Sequence, residues 1–355
     1  MTRRALVTGA TGFIGAAVVR ALKARGARIR VLHRPASDLR NLDDLGDGVE
    51  RVVGDLRDPE SLVRATSGCD WVFHVAARYR FGLRHAREIY RDNVDGTRNV
   101  LDAARAAGVE RVVYTSTVGV LSLGDNGTPV DESRLATFRE LAGPYKRSKW
   151  LAEKEAMRAA SEGLPVVIVC PTAPVGPNDV KPTPTGGLIV DFLSGRMPAY
   201  VDTGLNLVAV EDVALGHILA AERGRVGERY ILGHENLRLR EILAILARLT
   251  GIEAPRFRVP KRLLLPAAWI SEGFSSILRR DPRLSIENAR MSQHYMFFDS
   301  TKARRELTWE PGSVEAALER AVAWFRDNGY VRGERTLVGT ETGADTSVGA
   351  GAEKR

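Results

Sequence analysis

Through the first half of the chain, short apolar runs alternate with longer stretches whose apolar positions recur every three or four residues. The runs at 5–8, 28–33, 49–53, 71–75, 111–116 and 164–170 predict six strands, and the helical spacing falls between them, over 13–23, 59–66, 89–107 and 145–160. Strands that alternate with helices need crossover connections, which are right-handed with few exceptions. The pattern therefore predicts an α/β fold built on a parallel sheet wound on both faces. Helix punctuation agrees. Asp58-Pro59 reads as a cap followed by proline at the first helical position, and Gly26 and Gly108 each sit just past a helical run.

After Pro171 the pattern changes. Prolines at 171, 174, 177, 182, 184 and 198, with Gly176, Gly186 and Gly187, predict a long irregular segment. Helical spacing resumes over 210–222, 239–249, 260–278, 285–291 and 314–328. The expected organisation is a nucleotide-binding domain over 1–170 and a smaller substrate domain over 171–335, some of whose segments return to the first sheet. A Gly/Thr/Ala-rich tail covers 336–355. The stretch 260–278 has basic ends around Leu263-Leu-Leu-Pro-Ala-Ala-Trp-Ile. Ordinary packing in the small domain is the simpler expectation, and loose contact with a membrane surface is the sharper one.

Composition narrows the class. The 355 residues are 44% hydrophobic and 27% charged, which excludes a disordered, collagen-like or membrane-spanning chain. Met1-Thr-Arg-Arg leads directly into an apolar strand, so no signal peptide is expected. Two cysteines, Cys69 and Cys170, fit a cytoplasmic protein with buried, unpaired thiols. No metal is expected. The net charge of +8 is spread along the chain, without a run of five like charges or aromatic–basic interleaving. That spread argues against nucleic acid and for an anionic small molecule.

Gly9-Ala-Thr11-Gly12-Phe13-Ile14-Gly15 follows the first strand and opens the first helix. Glycines there let backbone approach a pyrophosphate, and the helix N–H groups hold its charge. The end of the second strand reports on the adenosine ribose. It reads His33-Arg34, with the first acid only at Asp38. An arginine suits a 2′-phosphate, so Arg34 predicts NADP, with NAD as the alternative. Asp55 and Leu56 are placed for the adenine. Val75, Ala76 and Ala77 are placed where the cofactor backbone passes.

Tyr145 and Lys149 lie four residues apart, on one helical face. An ammonium and an oxidised nicotinamide both favour the phenolate, which prepares Tyr145 to exchange a proton with an alcohol or carbonyl. Lys149 is expected to hold the nicotinamide ribose as well. Thr115, Ser116 and Thr117 end the fifth strand, where open α/β sheets place their sites.

Three elements in this order, the glycine loop, the Thr115-Ser116-Thr117 cluster and Tyr145-x-x-x-Lys149, resemble the extended short-chain dehydrogenase/reductase superfamily over residues 3–330. The resemblance implies a Rossmann-type doubly wound sheet, with Thr117 as the active hydroxyl and Asn93 in a structural and proton-relay position. It also implies that Pro171 and Thr172 border the nicotinamide. The segments 171–186 and 198–208 resemble the hopanoid-associated sugar epimerases, relatives of the dihydroflavonol-4-reductase branch, which implies an NAD(P)-dependent enzyme linked to hopanoid lipids. Helices 89–107 and 145–160 form a dimer interface in the resembled family, so a homodimer is expected.

The dehydratases of that superfamily carry Asp-Glu after the active hydroxyl. Here Val118-Gly119 follows Thr117, which sets dehydration aside. Carbonyl reduction remains, with epimerisation on tightly held NAD as the alternative and a non-catalytic NAD(P) sensor as a rival of another class. The substrate pocket is expected to draw on Arg78, Tyr79, Arg80, Thr117, Tyr145, Pro174, Val175, the stretch 182–187 and Tyr200. Arg78 and Arg80 are candidate partners for a diphosphate.

Overall fold

The computed structural model describes residues 3–79, 85–266, 268–269, 271 and 286–331. In chain order the first elements are β1 (Arg4–Thr8), α1 (Phe13–Ala24), β2 (Arg28–His33), β3 (Val49–Val53), α2 (Pro59–Thr66), β4 (Trp71–His74), α3 (Ala86–Tyr90), α4 (Gly96–Ala106), β5 (Arg111–Thr115), α5 (Gly143–Ser161) and β6 (Val166–Pro171). Then come β7 (Ala173–Val175), α6 (Pro184–Leu193), β8 (Ala199–Val201), β9 (Gly204–Ala209), α7 (Val210–Arg223), β10 (Arg229–Leu232), β11 (Glu235–Arg238), α8 (Leu239–Thr250) and β12 (Phe257–Val259). The last are α9 (Ile286–Met291), β13 (Tyr295–Met296), α10 (Thr301–Leu307) and α11 (Val314–Asp327).

Seven parallel strands form the main sheet in the order β3-β2-β1-β4-β5-β6-β10. Alternate residues of one strand feed two cores. Ala5 and Val7 pack with Val18 of α1 and Val213 of α7, whereas Leu6 packs with Leu62 of α2 and Leu101 of α4. Burial on both faces explains why these strands read as continuous apolar runs. Asp58 caps α2 by accepting from the Glu60 and Ser61 amides, and Gly26 and Gly108 both take positive φ after their helices. Both cysteines are buried and unpaired.

Two expectations change. The helix expected over 89–107 is interrupted by a π turn at Arg91–Asp95, where the Thr97 hydroxyl donates to the Asn93 carbonyl at 2.6 Å. The segment after Pro171 is more regular than its prolines imply. Pro184 occupies the first turn of α6, where a missing N–H costs nothing, and Thr183 caps that helix through the Gly186 amide at 3.1 Å. As expected of part of the segment after 171, the chain returns to the main sheet at β10, where Tyr230 pairs with Val169. Around β7, β9, α6, α8 and α11 lies a separate apolar cluster, which includes Leu207, Ile242 and Phe325. The expected tail over 336–355, Arg80 and most of 270–285 lie outside the described residues. Among the described residues no helix is long and apolar enough to cross a membrane.

Candidate active site

The strand order reverses between β1 and β4, and the crevice above that switch is where open sheets bind ligands. Here it is a cleft of about 1450 Å³ that runs from Gly9 to Phe298. Gly9 takes φ +71°, and a Cβ on it would sit 2.6 Å from the Ala76 nitrogen; a Cβ on Gly15 would collide with the Gly9 carbonyl. These glycines let two chain segments touch, which leaves the cleft side of the loop open. Gly12 is the N-cap of α1, no side chain caps that helix, and Phe13, Ile14 and Gly15 line the cleft. An uncapped helix start with glycine access suits a pyrophosphate. Thr11, Val75, Ala76 and Ala77 line the same stretch.

Arg34 is exposed and lines the cleft, and its guanidinium has no partner among the described residues. Asp38 also lines it, but Arg40 grips that carboxylate through Nε and Nη2, which pulls its pKa down to about 2. Asp55 and Leu56 line the cleft, with the Asp55 carboxylate accepting from the Arg57 amide at 2.9 Å.

A directed hydrogen-bond chain braces this half. The Ala76 amide donates to Thr8 Oγ1 at 3.3 Å, and Thr8 Oγ1 lies 2.8 Å from His74 Nδ1. His74 Nε2 lies 3.0 Å from Thr97 Oγ1, whose proton goes to the Asn93 carbonyl. Because Thr97 spends its hydrogen there, it accepts from Nε2–H, and His74 Nδ1 accepts from Thr8. Burial pushes His74 down to about 3, so the imidazole stays neutral and the chain keeps its direction. Asn93 is part of the same brace. Its Oδ1 accepts from the Arg78 amide at 2.7 Å, and its Nδ2 donates to the Arg78 carbonyl at 3.2 Å and to Ser148 Oγ at 2.9 Å. Both amide hydrogens are thereby used, and Asn93 does not line the cleft.

Across the cleft, Thr117, Tyr145 and Lys149 come together from the end of β5 and the first turns of α5. Lys149 is buried and donates to the Thr115 carbonyl at 2.6 Å, with the Tyr114 ring 4.5 Å from its nitrogen. Burial lowers its pKa to about 8, partly offset by the charge of Glu153 one turn along the helix. Thr117 Oγ1 accepts from the Gly119 amide at 3.1 Å, which leaves its hydrogen for another acceptor. The ring of Tyr79 meets that of Tyr145 edge-on at 4.6 Å.

Several expected site residues are placed differently. Ser116 lines the cleft, but its hydroxyl donates to the buried Glu153 carboxylate, which also holds Arg229 of β10 at 2.7 Å. Thr115 uses its hydroxyl on His217 Nε2 at 2.9 Å. Arg78 lines the cleft with its guanidinium bound to Asp92 and, at 2.8 Å, to Glu88, so it is not an open diphosphate partner. Val175 and Tyr200 pack in the small-lobe core and do not line the cleft, because β7 and β8 turn them inward. Pro171, Thr172 and Pro174 line it. Ser148, Glu153 and Asp179 were not anticipated, although Glu153 continues the four-residue spacing of Tyr145 and Lys149. Among the described residues no cluster of His, Cys, Asp or Glu is placed to hold a metal ion.

The model of the NAD dependent epimerase/dehydratase family matches residues 5–233, the stretch that carries the glycine loop, Thr117, Tyr145 and Lys149. The chain belongs to that family. It is 46% identical over 330 residues to a candidate dihydroflavonol 4-reductase of Synechocystis sp., covering 92% of this chain and 95% of that one. Over 328 residues it is 39% identical to sterol demethylase protein B of Methylococcus capsulatus, covering 92% and 99%. The crystal structure of gox2253 superposes with a TM-score of 0.83 at 45% identity, covering 93% of this chain and all of that one. Members of the family are NAD-dependent enzymes of the short-chain dehydrogenase/reductase superfamily, and the seven-stranded parallel sheet is the fold they share.

Proposed function

We propose that this protein is an NADP-linked reductase of apolar ketones or aldehydes. The observation that carries this reading is the chemistry of the cleft beyond Tyr145. Leu121, Leu123, Met296 and Phe298 belong to one apolar cluster and line the cleft there, with Leu205 paired to Met296. Of the two arginines among the described residues that line the cleft, Arg78 is already matched by two carboxylates and Arg34 lies at the end of β2. A nucleotide-sugar diphosphate needs unspent cations at that place, whereas an apolar carbonyl compound needs the surface that is present.

In this reading the backbone of Gly9–Gly15 holds the pyrophosphate, Arg34 pairs the 2′-phosphate, and Lys149 turns its remaining hydrogens to the ribose. The bound dinucleotide supplies hydride to the carbonyl carbon. Thr117 donates its free hydrogen to the substrate oxygen and fixes its position. Tyr145 donates the proton that the oxygen takes up as the carbon is reduced, and the charge on Lys149 stabilises the phenolate left behind. The bracing of residues 75–78 by His74 and Asn93 keeps the two halves in register.

The relative named for sterol demethylation and the apolar lobe together support a polycyclic substrate, which fits a place in hopanoid-linked metabolism. A cytoplasmic homodimer joined through α4 and α5 belongs to the same reading. A second reading, epimerisation on tightly held NAD, draws on Asp38, an acid in the cleft that suits a ribose 2′-hydroxyl.

The test is NADPH and NADH oxidation by the purified protein, offered apolar ketones, apolar aldehydes and nucleotide sugars. Turnover of NADPH with an apolar carbonyl is expected. Co-purifying NAD together with epimerisation of a nucleotide sugar would replace this reading with the second.

A further inference from the structure

We propose that the surface made by Phe257, Leu263, Pro266 and Trp269 docks on an anionic lipid bilayer beside the mouth of the cleft. This rests on the reading of the substrate as apolar, since such a compound partitions into lipid.

Residues 264–266, 268–269 and 271 are helical, and the surface follows from helical phase. Leu264 and Ala268, four residues apart, are buried against Val259 and Ala289. Leu263, Pro266 and Trp269 fall on the opposite side of the same turns and are exposed. Phe257 shares a strand face with Val259, because residues two apart in β12 point the same way, and Val259 packs against Leu264 and Ala268 of that helix. At 76% and 65% exposure, Phe257 and Trp269 are the two most exposed large apolar side chains among the described residues. Aromatic and leucine side chains exposed together with basic ones mark surfaces that lie in the headgroup region of a bilayer.

The charge selects the occupant. Arg256, Arg258, Lys261 and Arg262 flank the patch, against Glu253 and Asp202. Arg256 and Arg258 make exposed ion pairs with those two carboxylates, and Lys261 donates to the Gln293 carbonyl at 2.9 Å, while Arg262 is exposed and has no partner among the described residues. A second copy would bring the same positive patch and be repelled, whereas an anionic headgroup layer is attracted. The patch also adjoins the cleft. Lys261 is tied to Gln293, next to Met291 and Ser292, which line the cleft on its apolar side.

The experiment is co-sedimentation of the full chain with phosphatidylcholine vesicles, with and without phosphatidylglycerol. Binding is expected to the anionic vesicles only, to weaken with salt, and to fall about tenfold in the Phe257→Ser, Trp269→Ser double variant and in Arg262→Glu. Both variant proteins should keep wild-type melting temperatures and NADPH turnover on a water-soluble carbonyl. Failure to bind either vesicle overturns the proposal, as does equal binding by the variants. A concentration-dependent dimer lost in the double variant would assign the patch to a second copy and overturn it as well. Absent turnover with vesicle binding intact would instead remove the reductase reading.

Discussion

Lys149 donates to the carbonyl of Thr115 at 2.6 Å, so the buried ammonium is anchored to the strand end that presents Thr117. That bond joins α5 to β5 at the point where Thr117, Tyr145 and Lys149 meet. It also explains why the charge on Lys149 needs support: burial brings its pKa down to about 8 even with the carboxylate of Glu153 working against that fall.

Glu153→Gln removes that support while leaving an acceptor for Ser116. The Lys149 pKa should drop below about 8, so the alkaline loss of activity should begin about one pH unit lower. Arg229 would lose its buried partner, which costs about 3 kcal/mol of stability. A pH–rate profile with thermal unfolding checks both, and an unmoved alkaline limb removes Glu153 from the control of Lys149.

Arg34→Ala should weaken NADPH about tenfold or more and leave NADH almost unchanged, since one charge-assisted contact is lost from one cofactor only. Fluorescence titration of both dinucleotides measures it. Equal weakening would move Arg34 from the 2′-phosphate to a general role.

Asp179 gives a pH signature in stability. Its carboxylate accepts two bonds from Thr183, its other oxygen has no partner among the described residues, and burial pushes its pKa up to about 6. A raised acid binds its proton more tightly in the folded state. Its stabilising contribution is therefore full below the unfolded value near 4 and is lost as pH rises through 6, by about 3 kcal/mol in total. Asp179→Asn carries no such loss. Urea unfolding at pH 4.5 and 7.5 (roughly the two ends of that window) should show the variant gaining on the wild type at the higher pH. Parallel changes in both proteins would contradict the assignment.

Much of this was legible in the chain because it is local. The strand runs, the Asp58 cap and the Gly9–Gly15 bend are each fixed by neighbours a few residues away, and they stand where the pattern put them. Two of the misreadings, at Arg78 and Ser116, are long-range. Nothing near Arg78 in sequence announces that Asp92 and Glu88 will turn back to neutralise it. Ser116 carries a hydroxyl that looks free until Glu153 arrives from α5, with Arg229 from a strand that returns after the small lobe. Val175 and Tyr200 were expected in the pocket because their segments border it, but strand alternation sends both side chains into the small-lobe core. The prolines after 171 hid α6, since a proline at a first turn starts a helix rather than ending one.

The central claim is that Tyr145 supplies the proton at a dinucleotide held over the glycine bend. Tyr145→Phe tests it most directly, with NADPH affinity and NADPH-dependent turnover measured on the same preparation. Turnover should fall by about two to four orders of magnitude while affinity stays within about twofold of wild type. Turnover that survives the substitution would contradict the claim.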